Sequence, residues 1–135
     1  MNTLDKILNL FYETTGVCTD TRKIEKNCLF ICLKGDNFNG NSFALNALEH
    51  GAKYVIVDEN EFNVAENIFV VDNSLKFLQD LAKHHRNKFS IPVIGITGSN
   101  GKTSSKELIK AVLSKKHKVL ATEGNLNNHI GVPLT

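Results

Sequence analysis

Residues 91–104 constrain the fold of this chain more than any other stretch. The β-branched run Ile91-Pro92-Val93-Ile94-Gly95-Ile96 leads into Thr97-Gly98-Ser99-Asn100-Gly101-Lys102-Thr103-Ser104, and a helical pattern follows from Lys106 to Leu113. A strand, a glycine-rich turn and a helix in that order build a site for nucleotide phosphates. Gly98 and Gly101 admit backbone conformations closed to other residues, so successive N–H groups can converge on one anion. The helix starting near Lys102 adds about half a positive charge at the same spot. Lys102 is placed to neutralise β and γ phosphates, and the Thr103 hydroxyl to ligate Mg2+. The pattern is not the strict Gly-x-x-x-x-Gly-Lys-Ser/Thr, since Ile96 stands where a glycine is needed. It is the compact Gly98-x-x-Gly101-Lys102-Thr103 form. The same residues also suit a plain strand-to-helix turn, but the register of strand, turn and helix favours the phosphate site.

A chain of 135 residues has room for one domain, or for a small domain and part of another. Hydrophobic residues at 41% and charged residues at 22% describe an ordinary globular sequence. A net charge of +2 is too small to argue for nucleic acid. Lys115, Lys116 and Lys118 read as a solvated helix end. No apolar stretch is long enough to span a bilayer, and Asp5 and Lys6 interrupt the N-terminal apolar pattern where a signal peptide would be continuous. Cys18, Cys28 and Cys32 lack metal-ligand spacing; Cys28 and Cys32 share a strand face with Phe30 and read as small core residues. These features lead us to expect a cytoplasmic chain outside membranes, and a monomer is expected alongside.

Leu4, Ile7, Leu8 and Phe11 recur at helical spacing, which predicts a helix over 3–14 with Thr3 as its cap and Gly16 at its end. A strand is expected over 28–33, then a loop over 34–42 rich in Gly, Asn and Asp. Ser42 is expected to cap a helix running to His50, with Gly51 closing it. Residues 54–57 and 68–71 read as short buried strands. Asp72-Asn73-Ser74 then caps a longer helix with Leu75, Leu78, Leu81, Ala82 and His85 on one face. His84 and His85, beside Arg86 and Lys88, suit the helix C-terminus better than a metal site. After Pro92 the pattern predicts a strand at 93–97, the phosphate turn, a helix at 102–114 and a strand at 118–121. The layout implies an α/β domain over 1–88 and the start of a second from 89 to 135. Two strands and one helix cannot cover a parallel sheet on both faces, so the second fold is expected to be cut short in this chain.

Two further polar runs carry candidate chemistry. Thr19, Asp20, Thr21 and Arg22 could read a nucleobase edge and pair with phosphate or carboxylate. They equally suit an Asx or Ser/Thr turn, which spacing alone favours. The run Gly124-Asn125-Leu126-Asn127-Asn128-His129-Ile130-Gly131-Val132-Pro133 brings amides to the edge where parallel α/β folds hold ligands, or forms an Asn-rich turn. Its place after a phosphate turn favours a site.

Together these motifs, with Leu29-Phe30-Ile31-Cys32-Leu33-Lys34-Gly35 and Gly51-Ala52, resemble the Mur ligases, the ATP-dependent amide-forming enzymes of peptidoglycan precursor synthesis. The resemblance runs from Thr19 to the end of the chain. The phosphate turn is common to the superfamily. The Gly124-to-Asn128 run points to the branch that joins D-alanyl-D-alanine to UDP-N-acetylmuramoyl-tripeptide. The resemblance implies a small N-terminal α/β domain holding the UDP end of the substrate, then the truncated start of a central ATP-binding domain, with a third domain beyond. It implies that Gly98, Ser99, Asn100, Gly101, Lys102, Thr103 and Ser104 cradle ATP, with Lys102 on phosphate as the catalytic cation and Thr103 on Mg2+. Thr19, Asp20, Thr21, Arg22, Lys34 and Gly35 would lie at the UDP-sugar end, and Asn125, Asn127 and Asn128 near the substrate. One departure stands out: relatives commonly read Asp-Gly-His-x-Phe where this chain reads Asn39-Gly40-Asn41-Ser42-Phe43. The piece alone is expected to lack ligase activity. Two other readings are a sister ligase adding the third peptide residue, against which Asn125 to Asn128 argue, and a UDP-sugar-binding module without chemistry.

Overall fold

The structure, a computed structural model, describes residues 3–124 and 126–135, and it divides into two compact units, Met1–Leu81 and Ala82–Thr135. The side chains of Thr3 and Leu4, the expected cap and the first apolar residue of the N-terminal helix, lie outside the described set.

The first unit is a four-stranded parallel sheet in the order β1 (Val17–Cys18), β2 (Leu29–Ile31), β5 (Tyr54–Val57), β6 (Ile68–Val70). Its pairing is regular: Val17 sits opposite Leu29, Leu29 opposite Tyr54, and Val55 opposite Ile68. A parallel sheet covered on both faces needs strands that are apolar throughout, and β2 and β5 are buried along almost their whole length. Side chains alternate between faces along a strand. Cys28, Phe30, Cys32, Val55, Val57 and Ile68 form one cluster with Ala44 and Ala47 of helix α2 (Ala44–Glu49). Leu29, Ile31 and Ile56 belong to the opposite face. The remaining buried side chains, Ile7 and Leu8 of α1 (Thr3–Leu10) and Phe77, Leu78 and Leu81 of α3 (Ser74–Arg86), supply its cover. Each such side chain contributes about 1.5–3 kcal/mol by leaving water. Cys28 and Cys32 are free thiols of this core, and burial pushes Cys32 up to about 12, which keeps it protonated.

Several local expectations need adjustment. The helix expected over 3–14 is α1 followed by a 3-10 turn at Phe11–Glu13, because the Thr14 N–H and hydroxyl both donate to the Phe11 carbonyl and tighten the last turn. The loop expected over 34–42 is structured: β3 (Lys34–Gly35) and β4 (Phe38–Asn39) form an antiparallel hairpin, and Gly40–Phe43 is a 3-10 turn. Ser42 does not cap α2. Its hydroxyl donates to the Asn39 carbonyl, and Asn39 caps the 3-10 turn by accepting from the Asn41 N–H. The Asn73 carboxamide caps α3 by accepting from the Lys76 N–H.

The second unit contains the end of α3 and helix α4 (Lys102–Leu113). Residues 93–97 and 118–121 form no strand pairing among the described residues, contrary to the two strands expected there. An apolar β-branched segment becomes a strand only when a neighbour takes its backbone donors and acceptors. Helix α4 forms as expected because its hydrogen bonds are internal.

Candidate functional site

In the first unit, the site grows from the carboxyl ends of parallel strands, where open α/β sheets hold ligands. The chain leaving β1 enters a 3-10 turn at Thr21–Lys23 capped by Asp20, whose Oδ1 accepts from the Arg22 N–H at 3.0 Å. Arg22 returns the contact with its guanidinium: Nε donates to Oδ1 at 2.9 Å and Nη2 to Oδ2 at 2.7 Å. That fork holds the Asp20 carboxyl down at about 2, so the pair stays ionised at neutral pH. The turn reading of Thr19 to Arg22 therefore holds. The self-capped turn presents all four residues to a cavity of about 370 Å³, whose other walls are Phe30, Cys32, Leu33, Phe38, Gly40 and Phe43. Part of the lining offers hydroxyls and a cation; another part is an apolar wall.

The hairpin and the turn after it form that apolar wall, and a buried polar knot fixes them. Asn41 is completely buried. Its Nδ2 donates to Asp58 Oδ1 at 2.8 Å and to Asn39 Oδ1 at 2.9 Å, and its Oδ1 accepts from the Asp58 N–H at 3.0 Å. Asp58, which follows β5, also accepts from the Ser74 N–H at the start of α3 and pairs with Lys34 at 2.9 Å. Burial pushes the Asp58 carboxyl up, but the bonds from Asn41, Lys34 and Ser74 together hold it below its ordinary value. Glu59 completes the knot, accepting from Lys34 and from Asn39 Nδ2, each at 3.0 Å. Gly40 is required here, since a Cβ would stand 2.3 Å from the Leu33 carbonyl oxygen. The two asparagines that depart from the relatives' pattern are thus the anchor of the cavity wall.

Lys34 and Gly35, expected at the UDP-sugar end, stand in β3 outside the cavity lining, and the Lys34 ammonium is engaged with Asp58 and Glu59. Phe38 and Asp58 escaped the sequence reading, and Asn41 and Phe43 entered it only as part of the 39–43 departure. The Asn-x-Asn spacing at 39–41 was the one local signal, and the partner Asp58 is too distant in sequence to be paired with it by eye.

The second unit carries the phosphate turn. Gly101, with φ of 75°, occupies the left-handed region and caps α4, whose first bond runs from the Ser105 N–H to the Gly101 carbonyl. The Lys102 ammonium donates to the Gly98 carbonyl, which lays it over the turn rather than out along the helix. Ser99, Asn100, Thr103 and Ser104 are exposed around the helix N-terminus. A lone hydroxyl suits Mg2+, which keeps several waters and takes phosphate oxygens as ligands, so Thr103 fits that role. Among the described residues no cluster of three or more His, Cys, Asp or Glu could hold a metal by itself. One turn along α4, the largely buried Lys106 donates to the carbonyls of Thr122 at 2.6 Å and Gly124 at 3.0 Å. It ties the segment leading to the Asn-rich run onto the helix. Asn125 lies outside the described residues. Asn127 is exposed, and Asn128 Oδ1 accepts from the N–H groups of Ile130 and Gly131, an Asx-type turn. His85 packs edge-on against Phe89 with ring centroids 5.0 Å apart.

Comparison with known proteins adds an independent line. Residues 13–86 match the Mur ligase family, catalytic domain, which is more than half of the chain, and residues 96–135 match the Mur ligase middle domain. The chain is 48% identical over 134 residues to UDP-N-acetylmuramoyl-tripeptide--D-alanyl-D-alanine ligase of Bacillus subtilis, covering 96% of this chain and 29% of that protein. It is 46% identical over 122 residues to the enzyme of the same name from Synechocystis, covering 89% of this chain and 27% of that protein. Among solved structures, MurF ligase from Thermotoga maritima in complex with ADP superposes with a TM-score of 0.80 at 34% identity, over 99% of this chain and 29% of that one. The chain thus spans under a third of the length of these relatives.

Proposed function

This chain belongs to the Mur ligase family, and we propose that it is the N-terminal part of a MurF-type ligase, which uses ATP to join D-alanyl-D-alanine to UDP-N-acetylmuramoyl-tripeptide. Residues 1–88 are the UDP-sugar domain in this reading, and 89–135 the beginning of the ATP domain. The observation that carries it is the pairing of two separately built features: a cavity at the carboxyl ends of parallel strands, and a glycine turn with Lys102 laid over it.

A carboxylate is a poor acylating group, so the terminal carboxylate of the tripeptide must first gain a leaving group. Transfer of the ATP γ-phosphoryl to it forms an acyl phosphate and releases ADP. The amine of D-alanyl-D-alanine then attacks the acyl carbon, and the tetrahedral intermediate expels phosphate, leaving an amide. In this chain the turn N–H groups and the α4 N-terminus hold the phosphates, and Lys102 offsets charge on the transferring group. The Thr103 hydroxyl would help to hold Mg2+, which would supply further charge neutralisation there. Thr19 to Arg22 bind the UDP end, Lys34 and Gly35 are assigned to that end by the motif alone, and Asn125, Asn127 and Asn128 serve the substrate. The enzyme acts as a monomer in the cytoplasm; among the described residues no helix is long and apolar enough to cross a membrane.

The test is phosphate release by the protein extended to the full length of its relatives. Release is expected only when ATP, the tripeptide precursor and D-alanyl-D-alanine are all present, and the 135-residue chain alone should show none. Lys102→Ala should weaken the phosphate contact by about 1.5–3 kcal/mol before any transition-state effect. Release that ignores the dipeptide, or unchanged turnover in the variant, would contradict the assignment.

A further inference from the structure

Phe38 is 54% exposed, yet it is not a stray surface residue. Its ring lies on that of Phe43, with centroids 5.4 Å apart and planes 20° from parallel. With one face so covered, the exposed area belongs to the ring edge and the second face. Both rings line the cavity that also contains Arg22. The hairpin bearing Phe38 is held at its base by the buried Asn41–Asp58 knot, so the ring is presented by a fixed support. An exposed aromatic on a preorganised wall gives contact area at little ordering cost.

We infer that Phe38 is the stacking platform for the nucleobase of a nucleoside diphosphate in this cavity, which Thr19 to Arg22 also line. The inference rests on the UDP-binding reading above and names the group that would recognise the base. Two chemistries line one cavity of about 370 Å³, a size within the range of small-molecule sites. A π-face suits any flat base, and the hydroxyls and N–H groups of Thr19 to Arg22 suit polar edges and phosphate oxygens. Phe38 therefore sets affinity for the base-bearing end of the ligand and is indifferent to the phosphates.

The experiment is calorimetric titration of the 135-residue chain with UDP and, separately, with inorganic pyrophosphate as a base-free probe. Phe38→Ala should weaken UDP binding about tenfold or more while leaving pyrophosphate binding where it was. The chain contains no tryptophan, so Phe38→Trp adds a second readout: its fluorescence should change on adding UDP and stay constant with pyrophosphate. Wild-type UDP affinity in Phe38→Ala, or equal losses for both probes, would overturn the stacking role while the UDP-binding reading stands. A Phe38→Trp signal blind to UDP that the protein binds would do the same. Failure of the wild-type chain to bind UDP at all would remove the underlying reading, and this inference with it.

Discussion

The two units of this chain treat their apolar residues in opposite ways. The first buries both faces of its sheet, so that Leu29, Ile31, Val55, Ile56 and Val57 have no exposed surface. The second leaves Leu108 and Val112 of α4 about as open as residues of an isolated helix, at 69% and 70% exposure, and no apolar residue of α4 is fully buried. Both units nevertheless build a recognisable site. The difference teaches that a phosphate turn is a local device: a left-handed glycine, a lysine folded over the turn and a helix N-terminus assemble within a few residues. The cavity of the first unit is a tertiary device, made by two strand ends and a hairpin that a buried knot holds in place.

The largest test of that contrast is core truncation. Ile56→Ala should cost about 2–5 kcal/mol in the urea unfolding free energy, whereas Val112→Ala in the same chain should stay within about 0.5 kcal/mol. Equal effects would mean that α4 is packed against something the contrast omits. The next test compares two asparagines that both serve backbone N–H groups. Asn41→Ala strands the Asp58 N–H and takes a donor from its carboxylate, so about 1–3 kcal/mol should be lost. Asn128 is itself exposed and serves only its own local turn, so Asn128→Ala should cost less, about 1 kcal/mol or below. A neutral Asn41→Ala variant would show that the cavity wall does not depend on the knot.

The smallest effect is in pH. Asp58 is held below its ordinary 3.8 in the folded chain, so the unfolded state takes up its proton first as pH falls. Its stabilising contribution is whole above about pH 4 and is lost as pH drops through the lower folded value. Acid titration of thermal stability should therefore show a decline below pH 4 that is shallower in Asp58→Asn. A slope identical to wild type would take Asp58 out of the account.

Legibility followed the same division between local and tertiary. The phosphate turn, α4, α3 and the strand at 54–57 were readable because periodicity, caps and glycine chemistry lie within a short window. β1 is two residues long and has no period to detect. The β3–β4 hairpin reads as a loop in sequence because its stability comes from Asn39, Asn41, Asp58 and Glu59, brought together across the fold. The segments 93–97 and 118–121 have the composition of strands, but composition cannot supply the neighbouring strand that pairing needs. Thr19 to Arg22 carried two readings for a physical reason, since the Asp20–Arg22 fork that makes the turn also shapes the cavity wall.

The proposed reading assigns the UDP end of the substrate to the cavity residues of the first unit and ATP to residues 98–104. Amide-resolved NMR of the chain titrated with UDP-N-acetylmuramoyl-tripeptide tests it most directly. The account predicts saturable shifts at the amides of 19–22, 30–33 and 38–43, with those of 98–104 unmoved. Shifts confined to 98–104, or none in the first unit at saturating ligand, would contradict it.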